Sequence, residues 1–212
     1  MSPKNNVKTN AADRKECLNR GVMPVIILTI ICLICGGLLA FTNTVTAEAR
    51  EANRIAMINE NRLLLYEDAD NFVSLDDDAI REQLARSDQY TEGLKVEDAS
   101  GQFLGYLFQT WSKGYGGTVP VMTAISPEGK ISGIRILSNE ETAGLGKKVE
   151  DSAFRNGFID IDATVPGVSA ARSIPQGYVP VEAVSGATVS SNAVADAVTV
   201  ALDAWRICGG AE

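Results

Sequence analysis

The sequence predicts an α+β domain, a mainly antiparallel sheet with packed helices, preceded by one N-terminal transmembrane helix. Three observations carry this. Residues 22–41 (VMPVIILTIICLICGGLLAF) run without a single charge. Residues 102–138 contain three β-rich runs joined by short connections holding Gly or Pro. Near the C-terminus, Val194, Ala197, Val198, Ala201, Leu202 and Trp205 recur at the spacing of one helix face.

The first element follows from length and hydropathy. At about 1.5 Å per residue, a helix over 22–41 crosses the roughly 30 Å hydrocarbon layer of a bilayer. Pro24 lies near its start, where proline is tolerated. Before it, Lys4, Lys8, Arg14, Lys15 and Arg20 outweigh Asp13 and Glu16, so residues 1–21 read as a loose basic tail. Glu48, Arg50, Glu51 and Arg54 follow the span with mixed sign. The positive-inside rule then predicts a single-pass protein of the cell membrane, with a cytoplasmic N-terminus and an extracytoplasmic C-terminal domain. A cleaved signal peptide ending near Val45-Thr46-Ala47 is the competing reading, but the apolar run exceeds the usual 7–15 residues.

The next elements come from local composition. Residues 42–100 read as a helical connector and the start of the exported domain. Residues 46–66 lack Gly and Pro and are rich in helix formers. Asp76-Asp77-Asp78 predicts the cap of a short helix around Ala79–Arg86. Strands are expected at Phe103–Trp111, Val119–Ile125 and Ile131–Leu137, with turns at Lys113-Gly114-Tyr115-Gly116-Gly117 and Ser126-Pro127-Glu128-Gly129. Val119, Val121, Thr123 and Ile125 should share one face. Lys147–Gly157 is expected to be helical, and residues 159–180, with Pro166, Pro175 and Pro180, to be loop. On the terminal helix, Asn192, Asp196, Thr199, Asp203 and Arg206 fall outside the apolar stripe and are expected at the surface.

Composition excludes several function classes. The 212 residues carry a net charge of −8, which argues against a nucleic-acid partner. Histidine is absent, so Ser–His and Cys–His catalytic pairs cannot form and a hydrolase is a poor fit. Cys32 and Cys35 form a C-x-x-C within the apolar span, where two small hydrophobes on a lipid-facing helix explain them more simply than a metal or redox site. No metal site or catalytic residue is assigned.

One stretch carries chemistry. Ser185-Gly186-Ala187-Thr188-Val189-Ser190-Ser191 stands at the mouth of the terminal helix. A helix N-terminus offers unpaired N–H groups and a positive dipole end, which suit a phosphate. Small residues admit a bulky ligand, and several hydroxyls could be esterified to one. An ordinary N-cap accounts for the same residues, and composition alone favours that reading.

Resemblance shifts the balance. Glu182-Ala183-Val184-Ser185-Gly186-Ala187-Thr188 resembles the covalent flavinylation motif Asp-x-x-(Ser/Thr)-Gly-Ala-Thr. That motif marks FMN-binding domains in the G-type subunits of Rnf ion-translocating complexes and in the related C-type subunits of the sodium-pumping NADH:quinone reductase. Glu182 stands in place of the usual Asp. Glu141-Thr142-Ala143-Gly144-Leu145-Gly146 is similar to the family's Glu-Thr-Pro-Gly-Leu-Gly segment, with Ala143 replacing proline, and Lys113–Gly117 resembles a third family segment. The resemblance covers roughly residues 20–207 and makes 101–212 the FMN-binding domain. It implies FMN joined to Thr188 by a phosphodiester, attached by a separate flavin transferase. Ser185, Gly186, Ala187, Val189, Ser190 and Ser191 would surround the phosphate, and Glu141, Thr142, Gly144 and Leu145 would line the flavin. It further implies an electron-carrier subunit working beside other membrane subunits of an Rnf-type complex, rather than an enzyme alone. Two alternatives stay open: an exported covalent-FMN domain in extracellular electron transfer outside a pump, and a flavin-free anchored scaffold.

Overall fold

In the computed structural model the backbone is described for residues 6–137 and 146–208, and side chains from Met23 onward. The chain divides into two compact units, Met1–Ile55 and Ala56–Glu212.

The first unit is formed by helix α1, which runs over Asn6–Leu65 and continues into the second. Residues 6–21 are therefore helical, not the expected loose tail. Helix formers such as Ala, Lys, Arg, Glu and Leu make up half of that stretch, which lacks proline, and a helix already nucleated downstream propagates into such residues at little cost. Pro24 accordingly lies inside the helix rather than near its start. Every residue from Met23 to Phe41 is exposed, and Leu33 and Leu39 stand at 71 % and 72 %. The hydroxyls of Thr29 and Thr44 donate to the carbonyls of Val25 and Ala40, at 2.8 and 3.0 Å. Thus these polar groups are satisfied within the helix, as an apolar surrounding demands. This helix is long and apolar enough to cross a membrane.

The second unit is built on a five-stranded antiparallel sheet: β1 (Asn71–Ser74), β2 (Tyr90–Glu97), β3 (Phe103–Lys113), β4 (Thr118–Ile125) and β5 (Ile131–Ile136). Spatial order follows chain order, so every connection is local. The three predicted strands are present within two residues of their expected ends. Strands β1 and β2 were not expected: β1 is only four residues long, and Glu, Gly and Lys break the apolar alternation of β2. Between them lies α2 (Asp77–Gln83), and Asp76 does cap it by accepting the Ala79 N–H at 3.2 Å.

The sheet buries both faces. One packs on the terminal helix α4 (Thr188–Cys208), with Phe108, Val119, Val121, Ile125 and Ile134 against Val194, Val198, Ala201 and Leu202. The other gathers Leu94, Val96, Leu107, Met122 and Ala124 under Ile58 and Leu65 from the last turns of α1 and the following Tyr66. Tyr66 fixes that junction: its hydroxyl lies 3.1 Å from the Tyr106 carbonyl and 2.9 Å from that of Ile125. Gly105, at φ +143°, makes the approach possible, since a Cβ there would meet the Ile125 carbonyl and the Tyr66 hydroxyl.

Beyond β5 the expected single helix is two short pieces, a 3₁₀ turn over Gly146–Glu150 and α3 (Ser152–Asn156). The expected loop contains a short parallel pair, β6 (Val168–Ser169) with β7 (Val179–Pro180). Thr199 is buried rather than at the surface. Its hydroxyl accepts the Val168 N–H at 3.0 Å and faces the carbonyls of Ala195 and Val168, so it joins β6 to α4.

Candidate functional site

The start of α4 follows from three small residues. Gly186 has φ +80°, a conformation costly for any side chain, and so turns the backbone. Ala187 is buried, and its N–H donates to the Val184 carbonyl at 3.0 Å. The Ser191 N–H donates to the Ala187 carbonyl at 2.8 Å, closing the first helical turn. Ser191 Oγ, fully buried, accepts the Val184 N–H at 3.0 Å. Gly186 is thus favoured by the turn itself, whatever else binds there, and Ala187 packs beneath it.

That turn sorts the hydroxyls. Ser185, Gly186, Thr188 and Val189 are exposed, whereas Ala187, Ser190 and Ser191 are buried. Thr188 is the first residue of a 21-residue helix, so its hydroxyl stands where first-turn N–H groups lack intrahelical acceptors and the dipole is positive. No acidic residue lies in that turn to offset the field. An exposed hydroxyl at the positive end of a helix fits a phosphate ester on Thr188. Glu182, six residues upstream, is exposed.

Contacts along α4 place its N-terminus on the sheet. The Ala197 carbonyl accepts from Thr110 Oγ1 at 2.8 Å, three residues before the end of β3. Trp205 sits against Gly129, in the turn at the opposite end of the strands. Thr188 therefore lies toward the end that carries the β3–β4 hairpin and the exit of β5. Tyr115, at that hairpin's tip, is 77 % exposed. Sequence reasoning marked the hairpin's glycines and passed over this ring; an aromatic flanked by glycines was the available signal.

Glu141, Thr142, Gly144 and Leu145 lie outside the described residues. The element that follows them, Gly146–Glu150, contributes Val149 to the core beneath α4. At the other end of α4, burial pushes the Cys208 thiol up to about 11, so it is no thiolate nucleophile near neutral pH. Among the described residues no group of three His, Cys, Asp or Glu side chains could hold a metal ion.

Residues 114–203 match the FMN-binding domain family. The G subunit of the proton-translocating ferredoxin:NAD(+) oxidoreductase complex of Clostridium ljungdahlii is 28 % identical over 176 residues, covering 83 % of this chain and 86 % of that one. The G subunit of the Na(+)-translocating ferredoxin:NAD(+) oxidoreductase complex of Acetobacterium woodii is 27 % identical over 187 residues, covering 85 % and 89 %. Among solved structures, the C subunit of the Na(+)-translocating NADH-quinone reductase from Parabacteroides distasonis superposes with a TM-score of 0.49 at 18 % identity, over 65 % of this chain and 76 % of that one.

Proposed function

We propose that this chain, similar over most of its length to the G subunits of ion-translocating ferredoxin:NAD(+) oxidoreductases, is the membrane-anchored electron-transfer subunit of such a complex and carries FMN esterified to Thr188. The observation that carries the reading is the exposed Thr188 hydroxyl at the first turn of α4, presented by Gly186 and buried Ala187 inside the matched domain.

The residues have separate tasks. Thr188 Oγ1 supplies the ester oxygen: a flavin transferase breaks the pyrophosphate bond of a flavin dinucleotide, joins the flavin-side phosphate to that oxygen, and releases the nucleoside monophosphate and the hydroxyl proton. The Val189 N–H at the positive end of α4 and the exposed Ser185 hydroxyl support the phosphate, while the Ser191 N–H is held by the Ala187 carbonyl. Glu141, Thr142, Gly144 and Leu145 line the ring, and Glu182 serves recognition by the transferase. Bound FMN supplies one- and two-electron chemistry, while the protein supplies position and environment. A covalent link suits a domain outside the cytoplasm, which cannot recover a lost flavin. In this reading α1 spans the membrane with its N-terminus cytoplasmic, and electrons pass to and from neighbouring subunits.

The full chain, co-expressed with a flavin transferase, is expected to give a fluorescent band after denaturation. The peptide containing Thr188 should be heavier by one FMN less one water. Thr188→Ala should reduce bound flavin at least about a hundredfold, and Thr188→Ser should retain part of it. Unaltered mass in the fully matured parent chain defeats the proposal.

A further inference from the structure

We infer that a cationic cleft on the α1-facing side of the sheet, remote in sequence from Thr188, receives an Asp or Glu side chain from a neighbouring subunit. It rests on the reading that this chain works within a multi-subunit complex. The cleft has a volume of about 220 Å³ and is lined by Asn61, Leu64, Arg135, Ile136, Glu150 and Arg155. All six belong to the second compact unit.

Arg135 makes the argument. It lies on β5, the edge strand, opposite Met122 in the register and therefore on the side away from α4. Its Nε is buried and has no hydrogen-bond partner. A buried donor without an acceptor is costly, so native structures leave few. Arg62 also has a buried Nε without a partner, but its terminal nitrogen pairs with Glu92 at 2.6 Å; Arg86 and Arg206 pair with Asp203, Arg81 donates to the Thr91 carbonyl at 2.6 Å, and Arg172 is exposed to solvent. Arg155 spends only Nε, on the Glu150 carbonyl at 2.9 Å, and no ion pair among the described residues uses its terminal nitrogens.

The lining also selects the anion. Two guanidiniums suit the planar, bidentate geometry of a carboxylate. Glu150 in the wall offsets part of their charge, which favours a single negative charge over a doubly charged phosphate. Leu64, half exposed at the rim, and Ile136 suit the methylene stem of an acidic side chain. The chain's net charge of −8 makes this pocket of positive charge a local exception that a partner's carboxylate can read.

The test uses the intact membrane complex, purified through a tag on this chain. Arg135→Glu should lower recovery of a neighbouring subunit at least about tenfold at a NaCl concentration that leaves the parent complex whole, and Arg135→Lys should retain part. A photoreactive benzoylphenylalanine at Leu64, with both arginines intact, should cross-link to a peptide of another subunit that contains Asp or Glu. Bound flavin and the thermal midpoint are measured on each preparation; if Arg135→Glu lowers either, the Leu64 cross-link decides. Equal recovery with Arg135→Glu at unchanged midpoint, or cross-links only to lipid or to this chain, overturns the inference. If the unaltered, flavin-loaded chain brings down no other subunit, this inference fails together with the complex, while the Thr188 ester stands.

Discussion

Helices α1 and α4 are both rich in apolar residues, yet they meet opposite surroundings. From Met23 to Phe41, α1 exposes every side chain, and its apolar residues circle the helix. Between Ala193 and Trp205, α4 hides all but Asp196 and Asp203, because the sheet, β6 and the Gly146–Glu150 turn surround it. Hydropathy alone does not separate these cases. What separates them is whether the rest of the chain supplies a partner surface. The sheet does so for α4, and a bilayer is the solvent that does so for α1.

The sharpest way to break this comparison is one substitution made in both helices. Leu202→Ala removes a fully buried side chain and should lower domain stability by about 2–5 kcal/mol. Leu33→Ala, at an exposed site, should leave the unfolding of the domain unchanged. Denaturant titration of the full chain in detergent checks both, and equal effects would erase the distinction. A smaller effect is expected from Thr199→Val, which keeps the volume but strands the Val168 N–H under α4. It should cost about 1–3 kcal/mol and loosen β6 first, read by hydrogen exchange at Val168. The smallest belongs to Tyr66→Phe, about 0.5–1.5 kcal/mol in the same titration. Burial pushes the Tyr66 hydroxyl from 10.0 up to about 12. A raised value in the fold means that this stabilisation is complete below pH 10 and is lost as pH rises toward 12. The gap between parent and Tyr66→Phe midpoints should therefore shrink over that window.

Much of this was legible in the sequence, for physical reasons. The uncharged run in α1, the 3.6-residue spacing in α4 and the β3–β5 strands with their turns are local signals. Strands β1 and β2 were hidden because their stability comes from pairing. Gly93, for example, sits in β2 because a Cβ would meet the Tyr90 hydroxyl, itself held by Asp77 at 2.6 Å. Thr199 misled for the same reason: its polarity suggested solvent, but its partners on β6 come from 31 residues away. At the site, the motif and its helix were readable. The division between exposed Thr188 and buried Ser190 and Ser191 was not, since it depends on how Gly186 turns the chain.

Thr188 belongs to a helix clasped by the core along most of its length. A redox group fastened there would ride on a stiff beam rather than on a loop. Its surroundings would rearrange little when its charge changed, which keeps the reorganisation energy of electron transfer low and the distance to the next carrier constant.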